Sequence, residues 1–327
     1  MGLLIVAKKE FADQITSRRF IAVLAIMLIF SAISFYQGVD EFIRQYRMFE
    51  TRAVSGNIPK PSIIQIFGFF GSAGILTFGG ILGLLMGFDL ITKEKESGSL
   101  KTLLSHPVFR DQIINGKALG AFAALCIVVA LTLTIALGIL TMKGFIPSLD
   151  DLTAILKFGL ITLAYFFTFF SIALFASTVA KNSSSSLLIA FGIFLILSMA
   201  IPMMGTLVAQ AVVGSPPNIE PPMPPPIQAN ENPTDLEKSP EWQEYQRKMQ
   251  EYEQRMNEYY DRMRTVQELF GIFSPSTNYM TLVSSLSERT FMPFQTKDIT
   301  KNLVGFVILP LVFFAVSYIK FLRMEIT

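Results

Sequence analysis

The stretch FDLITKEKESGSLKTLLSHPVFRDQIINGK, residues 88–117, interrupts a chain that is otherwise rich in long apolar runs. It contains nine charged residues, whereas the run before it, residues 63–88, contains none. The run after it, residues 118–142, is equally apolar. Because about 20 apolar residues cross a bilayer core of roughly 30 Å, each run predicts a membrane-spanning helix, and the stretch predicts a polar loop between them.

The composition of the chain indicates the same class of protein. Of the 327 residues 51% are hydrophobic, and the mean hydropathy is +0.49, outside the usual balance of a soluble domain. The net charge of +2 is too small to indicate a nucleic-acid partner. Cys126 is the only cysteine and lies in an apolar run, so we interpret it as a packed small hydrophobe rather than a functional thiol.

We expect an all-α polytopic membrane protein with six transmembrane helices. The predicted spans are residues 20–36, 63–88, 118–142, 158–179, 187–213 and 303–319. An even number of spans places both termini on the same side of the membrane. Although the first span follows basic residues, as a signal peptide does, five more spans come after it, so we interpret it as a retained signal anchor.

Basic residues are more frequent on the side of the termini than on the opposite side. The residues on the terminal side are Lys8, Lys9, Arg18, Arg19, Lys93, Lys95, Lys101, Arg110, Lys117, Lys181, Lys320 and Arg323. The residues on the opposite side are Arg44, Arg47, Arg52 and Lys60. This bias predicts a multi-pass protein of the plasma membrane with both termini in the cytoplasm.

Residues 1–19 predict an amphipathic helix before the first span. Leu4, Ile5, Phe11 and Ile15 lie close to one helical face, and the lysines lie mostly elsewhere. Such a helix lies in the plane of the lipid headgroups, with its lysines toward phosphate. The alternative is a simple helical extension of the first span.

The spans carry no Asp, Glu, Lys, Arg or His in their cores, which disfavours a transporter driven by protons. Gly79, Gly83 and Gly87 recur every four residues in the second span and form one stripe. Missing side chains let another helix approach closely, so we predict that this stripe is a helix-packing surface.

The loop at residues 89–117 predicts a short amphipathic hairpin. Gly98 is suited to end the helical continuation of the second span, and Ser99 is suited to begin a new helix with a leucine face that Pro107 ends. We expect Arg110 and Lys117 to return the chain to the headgroups. The leucine face needs a cover, either the helix ends of this protein or a soluble partner.

The loop contains, in order, Glu94-Lys95-Glu96, Gly98-Ser99-Leu100, Leu103-Leu104-Ser105, Pro107-Val108, Arg110 and Gly116-Lys117. In the order and spacing of these residues the sequence resembles the ABC-2 type permeases, the membrane subunits of a class of ATP-binding-cassette transporters. The six spans and the amphipathic start, similar to the family's connecting helix, extend the resemblance over most of the chain. The segment between the fifth and sixth spans departs from the family, because it is much longer than the family minimum.

The resemblance implies a permease dimer that binds two copies of an ATP-binding subunit, with this loop as the coupling helix. The residues that it assigns to coupling are Glu94, Glu96, Gly98, Leu100, Leu103, Leu104, Pro107 and Arg110. In this model the leucines fill a groove on the ATPase, and the two glutamates pair with its basic rim. The chain is not itself expected to be an enzyme, since Gly116-Lys117 lacks the other residues of a phosphate-binding loop. ATP and Mg²⁺ would be bound by the partner, and we predict no cofactor or metal in this chain.

Residues 214–300 predict a large extracytoplasmic insertion, after which residues 301–327 form the last span and a cytoplasmic tail. A proline-rich linker, residues 214–240, is expected to be extended rather than packed. Residues 241–271 predict a helix with a heptad stripe, and residues 273–287 a re-entrant or interfacial segment. The stripe comprises Trp242, Tyr245, Met249, Tyr252, Met256, Tyr259, Met263, Val266 and Phe270. Two such helices either pair across a dimer or lie on their own protomers.

The stripe contains three methionines, and thioethers are ligands for copper(I). No Cys or His accompanies them, so we interpret them as part of a helical contact. His106, the only histidine, is interpreted as a surface residue of the loop.

The leading functional hypothesis is export of an amphipathic, lipid-like or peptide substrate, less readily an ion, driven by the ATPase partner. The alternative is a mechanotransmission or scaffold protein that relays ATPase motion to the extracytoplasmic helices without transport.

Overall fold

The computed structural model describes residues 2–52, 63, 66–67, 74–99, 109–225, 239–286 and 299–324. Within these ranges the regular structure is helical, and no residue in them belongs to a β-strand. The all-α class that the sequence predicts is therefore confirmed for this part of the chain. The contacts divide the protein into two compact units, one formed by Met1–Ala200 with Ile272–Thr327 and the other by Ile201–Gly271.

The described helices are numbered in chain order. They are α1 (Gly2–Ile15), α2 (Arg18–Arg52), α3 (Gly80–Gly87), α4 (Thr92–Glu96), α5 (Arg110–Met142), α6 (Leu149–Val179), α7 (Ser183–Leu195), α8 (Ile201–Val213), α9 (Pro240–Gly271), α10 (Pro275–Ser284) and α11 (Thr300–Leu322). Two π-helical turns, Ile75–Gly79 and Ile196–Ala200, come directly before α3 and α8.

Six helical segments among the described residues are long and apolar enough to cross a membrane, which confirms the predicted number. They are Arg18–Thr51, Ile75–Glu96, Arg110–Met142, Leu149–Val179, Ser183–Val213 and Thr300–Leu322. Several are longer than the predicted spans, because polar residues continue the helices beyond their apolar cores.

The first span shows this extension most clearly. The helix α2 has 35 residues and is about 52 Å long, well beyond a bilayer core of roughly 30 Å. Its polar continuation is held by Lys143, whose ammonium lies 2.8 Å from Asp40 Oδ1 and 4.1 Å from the centroid of the Tyr36 ring. The hydrogen bond to Asp40 raises the pKa of Lys143.

The second span packs on α6 through the predicted glycine stripe. A Cβ atom at Gly83 would lie 2.5 Å from the carbonyl oxygen of Phe166, and one at Gly87 would lie 2.7 Å from that of Phe170. At Gly79 a Cβ would meet the Phe166 ring. Since even a methyl group would displace α6 at Gly83 and Gly87, these glycines permit backbone contact between the two helices.

The second unit consists of α8, the extended chain after it and α9. The predicted heptad stripe lies along α9, a helix of 32 residues. Residues 214–225 form no regular structure, and the remainder of the predicted proline-rich linker up to residue 238 lies outside the described residues.

Candidate functional site

A buried ionic cluster joins the N-terminal helix to the second and third spans. Lys117 Nζ lies 2.9 Å from Glu10 Oε2 and 2.8 Å from Glu94 Oε1, and all three side chains are at most 14% exposed. Gln14 extends the cluster, since its Nε2 donates to Glu10 Oε1 at 2.9 Å and to the carbonyl oxygen of Met86 at 3.0 Å. One cation therefore holds carboxylates from two different elements.

Two glycines of α5 bring α1 onto this cluster. A Cβ at Gly116 would lie 2.8 Å from the carbonyl oxygen of Leu3, and one at Gly120 would lie 2.5 Å from that of Ala7. They are four residues apart on the same face of α5, next to Lys117. The backbone of α1 thus lies directly on α5, which places Glu10 within reach of Lys117.

The face of α1 that is buried differs in part from the apolar face that the sequence predicts. Leu4 and Ile5 are both 69% exposed, whereas Ala7, Glu10 and Gln14 are buried. The inward face of α1 therefore includes two polar side chains, Glu10 and Gln14, because Lys117 lies opposite them. Phe11 and Ile15, also on the predicted apolar face, are partly buried against the hydrophobic core.

Lys95, on the short helix α4, places its ammonium group at the C-terminal end of α6. Lys95 Nζ donates to the carbonyl oxygens of Thr178 at 3.0 Å and Ala180 at 3.1 Å. The last carbonyl groups of a helix lack intrahelical donors and carry partial negative charge. Lys95 therefore satisfies the C-terminus of the fourth span with a group of complementary charge.

Glu96, the next residue of α4, places its carboxylate at the start of α7. Glu96 Oε1 accepts from the backbone nitrogen of Ser183 at 3.0 Å, and Oε2 accepts from Ser183 Oγ at 2.7 Å. A carboxylate at a helix N-terminus is stabilised by free N–H groups and by the helix dipole. Adjacent residues of α4 thus hold opposite ends of two consecutive spans.

Arg110, at the start of α5, makes a third contact of this kind with the last span. Arg110 donates to the carbonyl oxygens of Leu322 at 3.0 Å and Met324 at 2.8 Å, at the C-terminus of α11. Gly98 follows α4 with a φ of 72°, a left-handed conformation that glycine adopts at helix ends without a Cβ penalty.

We call Glu10, Gln14, Glu94, Lys95, Glu96, Arg110 and Lys117 the helix-end cluster. Of the residues predicted to couple to an ATPase, it includes Glu94, Glu96 and Arg110, each bonded to a different helix, and Gly98 follows α4. Leu100, Leu103, Leu104 and Pro107, as well as His106, lie outside the described residues. The cluster shows that Glu94 and Glu96 have partners within the chain, while their pairing with an ATPase stays a prediction.

Sequence reasoning missed three features of this cluster. Lys117 was expected at the headgroups, but it is 6% exposed, because α1 covers it. Glu10 was not recognised as its partner, although a glutamate on the same helical face as Val6, Ala7 and Gln14 is a signal for a buried polar contact. The role of Ser183 had no sequence signal beyond its position at the start of a span.

A second polar cluster lies near the middle of α6. Tyr165 donates from its hydroxyl to the carbonyl oxygen of Leu76 at 3.2 Å, and Thr162 Oγ1 lies 3.1 Å from the hydroxyl of Tyr279 on α10. Leu76 belongs to the π-helical turn of the second span. Such turns disturb the regular hydrogen-bond pattern, and backbone groups in a membrane need replacement partners.

The same cluster connects α10 to the last span. Asn302 Nδ2 donates to Asn278 Oδ1 at 2.8 Å, and Asn278 Nδ2 donates to the carbonyl oxygen of Ile272 at 2.7 Å. Tyr165 and Tyr279 are fully buried, with ring centroids 4.7 Å apart. The chain around α10 is therefore bonded to the fourth and last spans directly, and to the second span only through Tyr165 of the fourth.

These features define the class of the protein: a multi-pass helical membrane protein whose charged loop residues join the ends of its spans. A family model described as ABC-2 family transporter protein matches residues 4–326. The chain belongs to this family of membrane-spanning subunits, which normally work with a separate ATP-binding subunit. A search of curated proteins finds no match to the chain.

Proposed function

We propose that this chain is the permease subunit of an ABC exporter and that the helix-end cluster transmits the motion of an ATPase to the spans. It forms a dimer, binds two ATP-binding subunits in the cytoplasm, and moves an amphipathic, lipid-like or peptide substrate outward. ATP and Mg²⁺ are held by the partner, and this chain supplies the pathway and the coupling contacts.

The single observation that carries the proposal is the way α4 and α5 are bonded to the other helices. Lys95 bonds to the end of α6, Glu96 to the start of α7, and Arg110 to the end of α11. Each charge has the sign that its helix end favours. A displacement of the coupling loop between Glu96 and Arg110 is therefore applied to several spans at once.

The second span continues this connection into the membrane. It runs from α4 through α3 to the π-helical turn, where Leu76 accepts from Tyr165. Because packed helices move as rigid bodies, rotation of α4 acts on this contact and hence on α10. Under the proposal α10 is the re-entrant element that closes the pathway on the extracytoplasmic side.

The test begins with the chain expressed together with the ATPase encoded beside it and purified through a tag on the permease. We expect a stable complex whose ATPase rate differs from that of the ATPase alone in lipid. Changing both Leu103 and Leu104 to Asp replaces two apolar side chains that the sequence predicts to contact the ATPase, and should abolish the complex. Leu269→Asp, at an exposed position on α9, should leave it intact. Full co-purification of the double variant would refute the coupling assignment.

The alternative is mechanical relay to the extracytoplasmic helices without transport, and the length of the hydrophilic helix α9 favours it as a second candidate. The two functions differ in one measurement. Export predicts that ATP hydrolysis by the reconstituted complex changes the distribution of a labelled amphipathic substrate across the vesicle membrane. Relay predicts ATP-dependent changes in spin-label distances within the 214–300 region and no change in that distribution.

A further inference from the structure

The aromatic stripe of α9 is already covered within its own chain. Every residue of the stripe is half-buried, whereas the positions between them on the N-terminal two thirds of the helix are exposed. The stripe residues are Trp242, Tyr245, Met249, Tyr252, Met256, Tyr259, Met263, Val266 and Phe270. A helix whose stripe awaited a second copy would show these side chains as its exposed apolar surface.

The C-terminal end of the stripe is covered by α8. A Cβ at Gly205 would lie 3.0 Å from Phe270 Cβ, and Ala209, one turn further along α8, is fully buried. Small residues on α8 thus let the two helices pack closely. This contact accounts for the last turns of the stripe only, because α8 ends at Val213.

The extended chain after α8 continues the cover toward the N-terminus of α9. The hydroxyl of Tyr259 donates to the carbonyl oxygen of Gly214 at 3.3 Å. Farther along, Ile219 and Pro222 line a groove with Lys248 and Tyr252. The chain therefore runs antiparallel to α9 along its stripe, and one side of the segment 214–225 is half-buried while its other residues are exposed.

From residue 219 to residue 225 the burial pattern has the period of a polyproline helix. Ile219, Pro222 and Pro225 are half-buried at three-residue intervals, and Met223 between them is 88% exposed, whereas Pro217, also half-buried, lies outside this period. A polyproline II helix has three residues per turn, so these positions lie on one face. Grooves lined by aromatic side chains are the surfaces that recognise such helices, because the proline backbone is preformed and loses little entropy on docking.

We propose that residues 214–225 are a built-in ligand for the aromatic stripe of α9, with residues 219–225 as its polyproline part. The segment closes α9 on its own chain, and it masks the surface through which α9 helices of two protomers would otherwise pair. Trp242 Nε1 is buried and has no hydrogen-bond partner among the described residues. The carbonyl oxygens of a polyproline helix are free of internal hydrogen bonds, whereas the carbonyl oxygen of Pro217 accepts from the backbone nitrogen of Ile219 at 2.8 Å. The polyproline description therefore applies to residues 219–225, which follow this turn.

The test uses thiol labelling of the full-length protein in lipid nanodiscs, in a Cys126→Ala background. Met249→Cys places a thiol in the stripe, and Glu253→Cys places a matched thiol on the exposed face one turn away. We expect maleimide to label Met249→Cys about tenfold more slowly than Glu253→Cys, since a masked site reacts only from an opened state.

A second substitution separates masking by the segment from masking by a partner protomer. Ile219→Asp puts a charge into the contact and should bring the labelling rate of Met249→Cys close to that of Glu253→Cys. A synthetic peptide of residues 214–225, added to this variant, should slow the labelling again, and a scrambled peptide should not. A bismaleimide should join two Met249→Cys protomers only after Ile219 is changed.

Two results would overturn the inference. Equal labelling of Met249→Cys and Glu253→Cys before Ile219 is changed would show that the stripe is not masked. Slow labelling that Ile219→Asp does not change, together with cross-linking between protomers in the unchanged background, would show that α9 pairs across the dimer. Neither result affects the proposed permease function, which rests on the helix-end cluster.

Discussion

Replacing Lys117 with methionine tests whether the buried ionic cluster holds α1 on the spans. The substitution keeps most of the side-chain volume but removes the ammonium that lies 2.9 and 2.8 Å from two carboxylates. At an effective dielectric constant of about 20, each contact has a gross attraction of roughly 6 kcal/mol. Desolvation of the three charges offsets most of this attraction. The net effect of the substitution on stability is therefore estimated from the typical cost of removing one partner of a buried ion pair.

Removing one partner of a buried ion pair typically costs about 3–5 kcal/mol, because a charge stays buried without compensation. In Lys117→Met this applies to Glu10 and Glu94, whose side chains are 9% and 14% exposed. We expect a lower midpoint of thermal unfolding in detergent and faster tryptic cleavage at Lys8 and Lys9, as α1 leaves α5.

Two comparisons isolate the effect of charge. Lys157→Met makes the same change at an exposed lysine of α6 and should alter stability by less than about 0.5 kcal/mol. Adding Glu10→Gln and Glu94→Gln to Lys117→Met removes the stranded charges and should recover most of the loss. The reasoning fails if Lys117→Met and Lys157→Met unfold at the same midpoint, or if the triple variant is less stable than the single one.

Two further predictions concern close contacts and the second polar cluster. Gly120→Val should lower the free energy of unfolding by roughly 1–3 kcal/mol and speed tryptic release of α1, because its Cβ would lie 2.5 Å from a carbonyl oxygen of α1. The control is Gly138→Val on the same helix, which should have no such effect because a Cβ there has nothing within 4 Å. Tyr165→Phe leaves Leu76 without this donor, costs roughly 1–3 kcal/mol and should speed amide hydrogen exchange in the adjoining π-helical turn, which Tyr260→Phe at an exposed site should not do. Equal effects of either variant and its control would contradict the corresponding contact.

The number of spans was predictable because it depends on a one-dimensional quantity, the length of an apolar run. The boundaries were less predictable for a physical reason. A helix continues into water as long as its residues favour it, so α2 extends to Arg52 although its apolar part ends near Tyr36. Hydropathy detects the solvent that a helix crosses, and it does not detect where the helix ends.

The charged residues of the loop were found from the sequence, but their partners were not. Lys117 and Glu10 are 107 positions apart, and Arg110 and Met324 are 214 positions apart. Helix dipoles determine that a cation suits a C-terminus and an anion an N-terminus. They do not determine which of several helix ends lies nearby, since that depends on the packing of all the spans.

Gly116 and Lys117 act together in the docking of α1 on α5. A lysine at this position of a span is costly to bury, and α1 buries it only because Gly116 leaves room for the α1 backbone. The same helix supplies Glu10, so the element that removes Lys117 from solvent also brings its counter-charge. The docking of α1 therefore buries Lys117 and pairs its charge with Glu10 in the same step. Because Glu94 shares that lysine, the position of α1 is linked to α4, at the start of the proposed coupling loop.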